Sequence, residues 1–150
     1  MKTDKMPLSW MACALAILTS AGSNEALGQS QQFYSLTPCR VVDTRPGAAI
    51  PAATERQFQI KALCGVPGDA KTVTLNVTAV TPSQDGFVTL WPAGGVYTGI
   101  SIINVIAGQA PVANGAVMKL GTGTLDLSAA YGTQGGGTIH LVIDVTGYFK

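Results

Sequence analysis

An all-β fold, a single sandwich of about nine short and mainly antiparallel strands, is predicted by three features of this sequence. Several segments alternate apolar and polar side chains with a period of two, which is typical of a strand with one buried face. Stretches rich in glycine and proline separate these segments. No apolar pattern of helical period follows residue 28. A β-barrel is the alternative architecture for the same pattern.

The clearest strands are predicted at 72–80, TVTLNVTAV, and at 138–149, TIHLVIDVTGYF. In the second of these, Val142 interrupts the polar side of the alternation. Burial on both faces is therefore expected, together with a central position in a sheet. The remaining strands are predicted at 32–36, 40–43, 56–62, 86–92, 100–106, 115–120 and 124–129.

The first 28 residues have the features of a secretory signal peptide. Lys2 and Lys5 precede an apolar stretch at 8–22, and small residues at Ala26 and Gly28 fit a cleavage site. The apolar stretch is shorter than the ~20 residues of a membrane span, although a retained anchor is the alternative. The sequence thus predicts a signal peptide at 1–28 and one exported module at 29–150, secreted or on the cell surface, with no membrane span after cleavage.

Charge is sparse along the chain. Charged residues make up 11% of the sequence, with a formal net charge of +1, whereas ordinary domains contain roughly a quarter. No basic cluster of the kind that binds nucleic acid is present. A surface so poor in charge favours burial against copies of the same chain or another partner.

Cleavage after residue 28 removes Cys13 and leaves Cys39 and Cys64. An even pair in an exported chain predicts a disulfide bond. The alternative is a catalytic thiol at Cys39, which needs a neighbouring base. His140 is the one histidine, and it lies in a predicted strand. Because hydrolase motifs and phosphate-binding loops are also missing, a protein without enzymatic activity or cofactor is expected.

Two further pairs are candidate sites. Asp43 and Arg45 flank one residue, so they are expected to form a structural ion pair or to stabilise the turn before Pro46. Trp91 and Tyr97 are candidates for a carbohydrate-binding platform, with burial in the core as the alternative. No ligand spacing typical of a metal site is present, so no metal is predicted.

Three motifs carry a resemblance that covers nearly all of residues 33–149: CRVVDTR at 39–45, LNVT at 75–78 and DVTGYF at 144–149. The chain resembles a bacterial exported module rich in β-structure. The resemblance implies a secreted or cell-surface location, often next to larger proteins that include hydrolases. It implies no catalytic residues, and the biochemical role of such modules is poorly defined.

Two functions are therefore expected as alternatives. The first is a structural protein that acts by self-association, such as an extracellular filament subunit, with copies of itself as partners. In that hypothesis the segment 29–36, QSQQFYSL, is a free strand that adds to the sheet edge of a neighbour. The second is a module that binds carbohydrate, in the cell wall or in an extracellular polysaccharide, through Trp91 and Tyr97.

Overall fold

The computed structural model describes residues 30–150, which form two antiparallel β-sheets packed face to face. The predicted all-β sandwich is confirmed, and the sheets are open rather than closed into a barrel. The predicted signal peptide, residues 1–28, lies outside the described residues. The described strands are β1 (Phe33–Asp43), β2 (Ile50–Pro51), β3 (Glu55–Phe58), β4 (Thr72–Val80), β5 (Gly86–Pro92), β6 (Ile103–Val105), β7 (Val112–Lys119), β8 (Leu127–Thr133) and β9 (Thr138–Phe149).

The first sheet has the strand order β1-β9-β4-β7, with β2 added beside β9, and the second has the order β3-β8-β5-β6. The last strand, β9, therefore lies between β1 and β4. Its residue Val142 is only 4% exposed, which agrees with the burial on both faces that the sequence predicts. Within residues 30–150, no helix is long and apolar enough to cross a membrane.

The core lies between the sheets and is built from the apolar positions of the alternating strands. Val73 and Val77 of β4 and Leu141 and Ile143 of β9 point inward from the first sheet and are nearly or fully buried. The second sheet contributes Val88 and Leu90 of β5 and Leu127, Ala129 and Tyr131 of β8. Burial of each large apolar side chain stabilises the fold by about 1.5–3 kcal/mol.

Two predicted strands are shorter than their alternation suggests, because of one buried carboxylate. The segment predicted at 56–62 leaves the sheet after Phe58, and the segment predicted at 124–129 enters it only at Leu127. Between them, Asp126 is 2% exposed and accepts hydrogen bonds from the main-chain N–H groups of Ile60, at 2.8 Å, and Lys61, at 2.7 Å. The Lys61 ammonium lies 3.2 Å from the same carboxylate. This carboxylate, rather than a neighbouring strand, satisfies the backbone there.

The expectation that the segment at 29–36 is free is wrong for its described strand residues. Phe33 and Tyr34 belong to β1 and pair with Phe149 and Tyr148 of β9. One residue earlier, Gln32 and Lys150 exchange main-chain hydrogen bonds of 2.9 and 3.2 Å. The beginning of the described chain is thus a strand of its own sheet, and its backbone groups are already paired on that side.

Candidate functional site

The outer face of the second sheet is grooved because its central strand carries small side chains there. Ser128, Ala130 and Gly132 of β8 alternate with the core residues of the same strand. The flanking strands β3 and β5 carry larger side chains on this face. The result is a trough of about 440 Å³, called here the β8 trough. Its lining comprises Ala53, Glu55, Phe87, Trp91, Tyr97, Ala130, Tyr131, Gly132 and Thr133.

Aromatic side chains form one wall of the β8 trough. Phe87 and Trp91 project from the same side of β5, and Tyr97 reaches the trough from the loop after that strand. The rings of Trp91 and Tyr97 have centroids 5.1 Å apart and planes at 77°. Trp91 is 3% exposed and Tyr97 is 50% exposed. The two residues of the predicted platform therefore contact each other edge to face. Tyr97 presents its ring to solvent, and the buried Trp91 supports it.

Phe87 lies directly against the backbone of Gly132. A Cβ atom at position 132 would be 2.4 Å from Cζ of the Phe87 ring, closer than such atoms approach in proteins. Glycine at this position lets the ring lie across β8. Any side chain there would displace Phe87 and change the shape of the trough.

The opposite wall carries a carboxylate that the fold holds in place. Oε1 of Glu55 accepts a 2.6 Å hydrogen bond from the Ser128 hydroxyl and a 2.7 Å hydrogen bond from the Gln57 side-chain amide. These two donors lower the pKa of Glu55 below its usual value, so the group is ionised at neutral pH. Neither hydrogen bond uses Oε2, which leaves that oxygen able to accept a donor from a ligand.

A second cavity of about 290 Å³ continues the β8 trough past Phe87, and it is called here the Asp85 cavity. The two cavities share Phe87, Gly132 and Thr133. Asp85, at its far end, uses Oδ1 to accept a 2.8 Å hydrogen bond from the main-chain N–H of Ala107. The two adjoining cavities together are called here the groove.

Glu55 and Asp85 lie at different positions along the groove. Glu55 is opposite Ala130, and Gly86 is opposite Thr133, so Asp85 follows about four residues farther along β8 and on its other side. Four residues of strand span about 13 Å. The lining residues of both cavities include no histidine, cysteine, lysine or arginine.

Asp43 and Arg45 lie in the first sheet and in the turn after β1, away from the lining of the β8 trough. The Arg45 guanidinium donates to Asp43 through Nε at 2.9 Å and Nη2 at 2.5 Å. Arg40 joins the cluster with a 2.9 Å hydrogen bond to Asp144 of β9. The hydrogen bonds from Arg45 hold the pKa of the Asp43 carboxyl well below its usual range. This arrangement closes the turn and ties β1 to β9.

The predicted disulfide is confirmed. Cys39 and Cys64 are bonded, with Cα atoms 5.7 Å apart, and the bond joins β1 to the turn that follows β3.

Nδ1 of His140 is 3.1 Å from the Thr44 hydroxyl and 3.0 Å from the Thr44 carbonyl oxygen. Residues 30–150 contain no group of three or more metal-ligating side chains close enough to hold an ion.

Sequence reasoning missed three important parts of the groove: Glu55, Phe87 and Asp85. It also missed the small residues that make the floor. A signal for the floor exists in the alternation of Ser128, Ala130 and Gly132. The strand predicted at 124–129 includes Ser128 but ends before Ala130 and Gly132, so the prediction did not include the full alternation.

The chain matches no protein-family model, and no curated protein resembles it in sequence at a significant level. The geometry of the groove, rather than relationship to a characterised protein, is therefore the basis for assigning a function.

Proposed function

We propose that this chain is a non-catalytic exported module that binds an extracellular saccharide in the β8 trough. The observation that carries the proposal is a groove with an aromatic wall on one side and an immobilised carboxylate on the other. Binding sites for small ligands typically combine apolar and aromatic lining with a few convergent polar groups. A pyranose ring fits this combination, because its C–H faces pack on aromatic rings while its hydroxyls donate to oxygen acceptors.

The composition of the groove supports an extended saccharide in particular. Phe87 is shared by the β8 trough and the Asp85 cavity, so consecutive sugar units can occupy the two on either side of its ring. Tyr97 is half exposed and provides the main aromatic surface at the other end. Cell-wall and extracellular polysaccharides are the ligand class that suits both features.

An extracellular setting is part of the same proposal. The Cys39–Cys64 bond is of the kind that persists in oxidising compartments and is rare in the cytosol. The predicted signal peptide at 1–28 supports the same location. Secretion is tested by finding the mature chain, beginning near Gln29, outside the cell.

Tyr97→Ala is expected to weaken binding to a retained glycan by about two- to tenfold, because an aromatic contact contributes about 0.5–1.5 kcal/mol beyond its buried area. Pull-down on insoluble glycans and cell walls identifies the glycan, and titration calorimetry measures its affinity. Val96→Ala is the matched control, since Val96 lies in the same loop, is 86% exposed and is not part of the lining. Absence of retention on every polysaccharide, or equal affinity of Tyr97→Ala and the parent chain, would contradict the proposal.

Self-association is a second candidate function, favoured by exposed apolar side chains beside the groove. Val96, Ile100 and Ile106 are 86%, 67% and 65% exposed and lie on the segments that precede and follow β6. Large apolar side chains exposed on a surface are candidates for protein contacts. A structural protein or filament subunit would join its copies here, rather than by exchange of the segment 29–36, whose described strand residues are paired in their own sheet.

Replacing Ile100 and Ile106 together by serine is expected to abolish any assemblies of the parent chain while leaving the fold intact. Sedimentation velocity and negative-stain electron microscopy at increasing concentration provide the measurement. Val117→Ser is the control, because Val117 is 65% exposed but belongs to β7 of the first sheet. A parent chain that remains monomeric at high concentration would rule out this second function and leave the first unaffected.

A further inference from the structure

The carboxylates of this protein are distributed unevenly with respect to positive charge. Residues 30–150 contain six acidic side chains, and four of them have a lysine or arginine nitrogen within 4.0 Å: Asp43, Asp69, Asp126 and Asp144. The other two are Glu55 and Asp85, for which the described part of the chain supplies no such partner. These are the two acidic residues that line the β8 trough and the Asp85 cavity.

Both carboxylates are fixed through one oxygen and open through the other. Oε1 of Glu55 accepts from Ser128 and Gln57, and Oδ1 of Asp85 accepts from Ala107. The described hydrogen bonds leave Oε2 of Glu55 and Oδ2 of Asp85 unused. Because no lysine or arginine lines either cavity, the groove presents only negative charge, at two separate points, beside aromatic rings.

We infer that the saccharide bound in this groove carries free amino groups, as in a de-N-acetylated amino-sugar polymer. The inference rests on the proposed function and specifies its ligand class. An ammonium group donates charge-assisted hydrogen bonds to a carboxylate, and it is also attracted to the faces of neighbouring aromatic rings. Glu55 and Asp85, about four strand residues apart, meet amines on different sugar units of one chain. Their separation excludes a single metal ion bridging both.

The test compares two oligosaccharides of equal length and linkage, one of glucosamine and one of N-acetylglucosamine, by titration calorimetry. We expect the glucosamine oligomer to bind at least about tenfold more tightly, since a hydrogen bond to a charged group is worth roughly tenfold or more in affinity. This preference should shrink as salt is raised from 0.05 to 0.5 M, because salt screens the charge interaction.

Glu55→Gln and Asp85→Asn should each reduce the affinity for the glucosamine oligomer about tenfold. They should reduce the affinity for the N-acetylated oligomer by a smaller factor, because its hydroxyl groups can still donate to the amide oxygen that replaces the carboxylate. Both substitutions keep the oxygen that accepts the internal hydrogen bonds, so the groove retains its shape. Asp69→Asn is the control, because Asp69 is 66% exposed and lies outside the lining of the groove. Thermal unfolding confirms that each variant is folded.

The outcomes separate this inference from the function on which it rests. Equal affinity for the two oligomers, or binding that survives Glu55→Gln and Asp85→Asn, overturns the amine preference and leaves saccharide binding in place. Binding of the N-acetylated oligomer alone has the same meaning. If neither oligomer nor any other polysaccharide binds, the proposed function fails, and the inference fails with it.

Discussion

Ending the chain after Thr146 is expected to leave a protein that does not fold. The deletion removes the last four residues, Gly147 to Lys150, from the strand that lies between β1 and β4. Gly147 and Tyr148 each pair with both neighbouring strands, so the cut breaks two hydrogen-bond ladders at once. The main-chain carbonyl of Phe149 also accepts from Lys71 at 2.9 Å.

The aromatic side chains lost with this segment add to the effect. The Phe149 ring lies 5.0 Å from that of Phe33, and the Tyr148 ring stacks on Tyr34 at 5.1 Å. Loss of a large buried side chain costs about 3–5 kcal/mol, and domains are stable by only about 5–15 kcal/mol. Tyr148 and Phe149 are half-buried, so each costs less than that range, but the broken ladders bring the total close to the whole stability.

Circular dichroism and thermal unfolding of the truncated chain provide the measurement. Removal of Lys150 alone is the control. It breaks two main-chain hydrogen bonds with Gln32 and the exposed contacts of the ammonium with Asp69 and the Tyr34 ring, and it should lower the melting temperature by a few degrees. A cooperative unfolding transition in the chain that ends at Thr146 would contradict this prediction. It would show that β9 stays paired with β1 and β4 without its last residues.

Three strands were predictable from the sequence to the residue. The predicted segments 72–80, 86–92 and 138–149 coincide with β4, β5 and β9. Their alternation is a direct consequence of the two faces of a strand meeting different surroundings. The strands predicted at 56–62 and 124–129 are too long at one end, although both segments alternate. After Phe58 the main-chain N–H groups of Ile60 and Lys61 donate to the Asp126 carboxylate instead of to a neighbouring strand, and β8 begins only at Leu127.

The β8 trough was predictable only in part, because it is a property of strand register. Trp91 and Tyr97 were identified by residue type, and they do meet in the site. The position of Glu55 opposite Ala130 depends on pairing between residues 75 apart in the chain. No local pattern reveals that pairing. The same is true of Phe33, whose partner Phe149 is at the other end of the described chain.

Besides the core between the sheets, a few local contacts connect the site-bearing sheet to the first sheet. The two sheets meet at β2, whose Ile50 pairs with Ile139 of β9 while the adjacent Ala52 forms a bridge to Tyr131 of β8. Asp126 and the disulfide fix the turn after β3, the strand that carries Glu55. The geometry of the groove therefore depends in part on contacts that also stabilise the fold.

Loss of the Cys39–Cys64 bond is expected to lower the melting temperature by more than about 10 °C. The bond closes a loop of 25 residues in sequence separation, and the chain-entropy model gives about 3.5 kcal/mol for a loop of that size. In a domain of this length, such a loss corresponds to a shift of that order. Calorimetry of Cys64→Ser measures the shift, and mass spectrometry without reductant should find no free thiol in the mature chain, residues 29–150.

A second variant separates the effect of the cross-link on stability from the effect of backbone strain at position 64. Cys64 has a φ of 51°, in the left-handed region that favours glycine. Cys64→Gly and Cys64→Ser both remove the bond, but only glycine relieves the backbone, so Cys64→Gly should be more stable than Cys64→Ser by about 1 kcal/mol. Both should remain less stable than the oxidised parent, because the cross-link outweighs the strain. If reduction of the parent leaves its melting temperature unchanged, or if Cys39 is alkylated in the native protein, the Cys39–Cys64 bond does not stabilise the fold as predicted. In that case the reactivity of the Cys39 thiol becomes the property to measure.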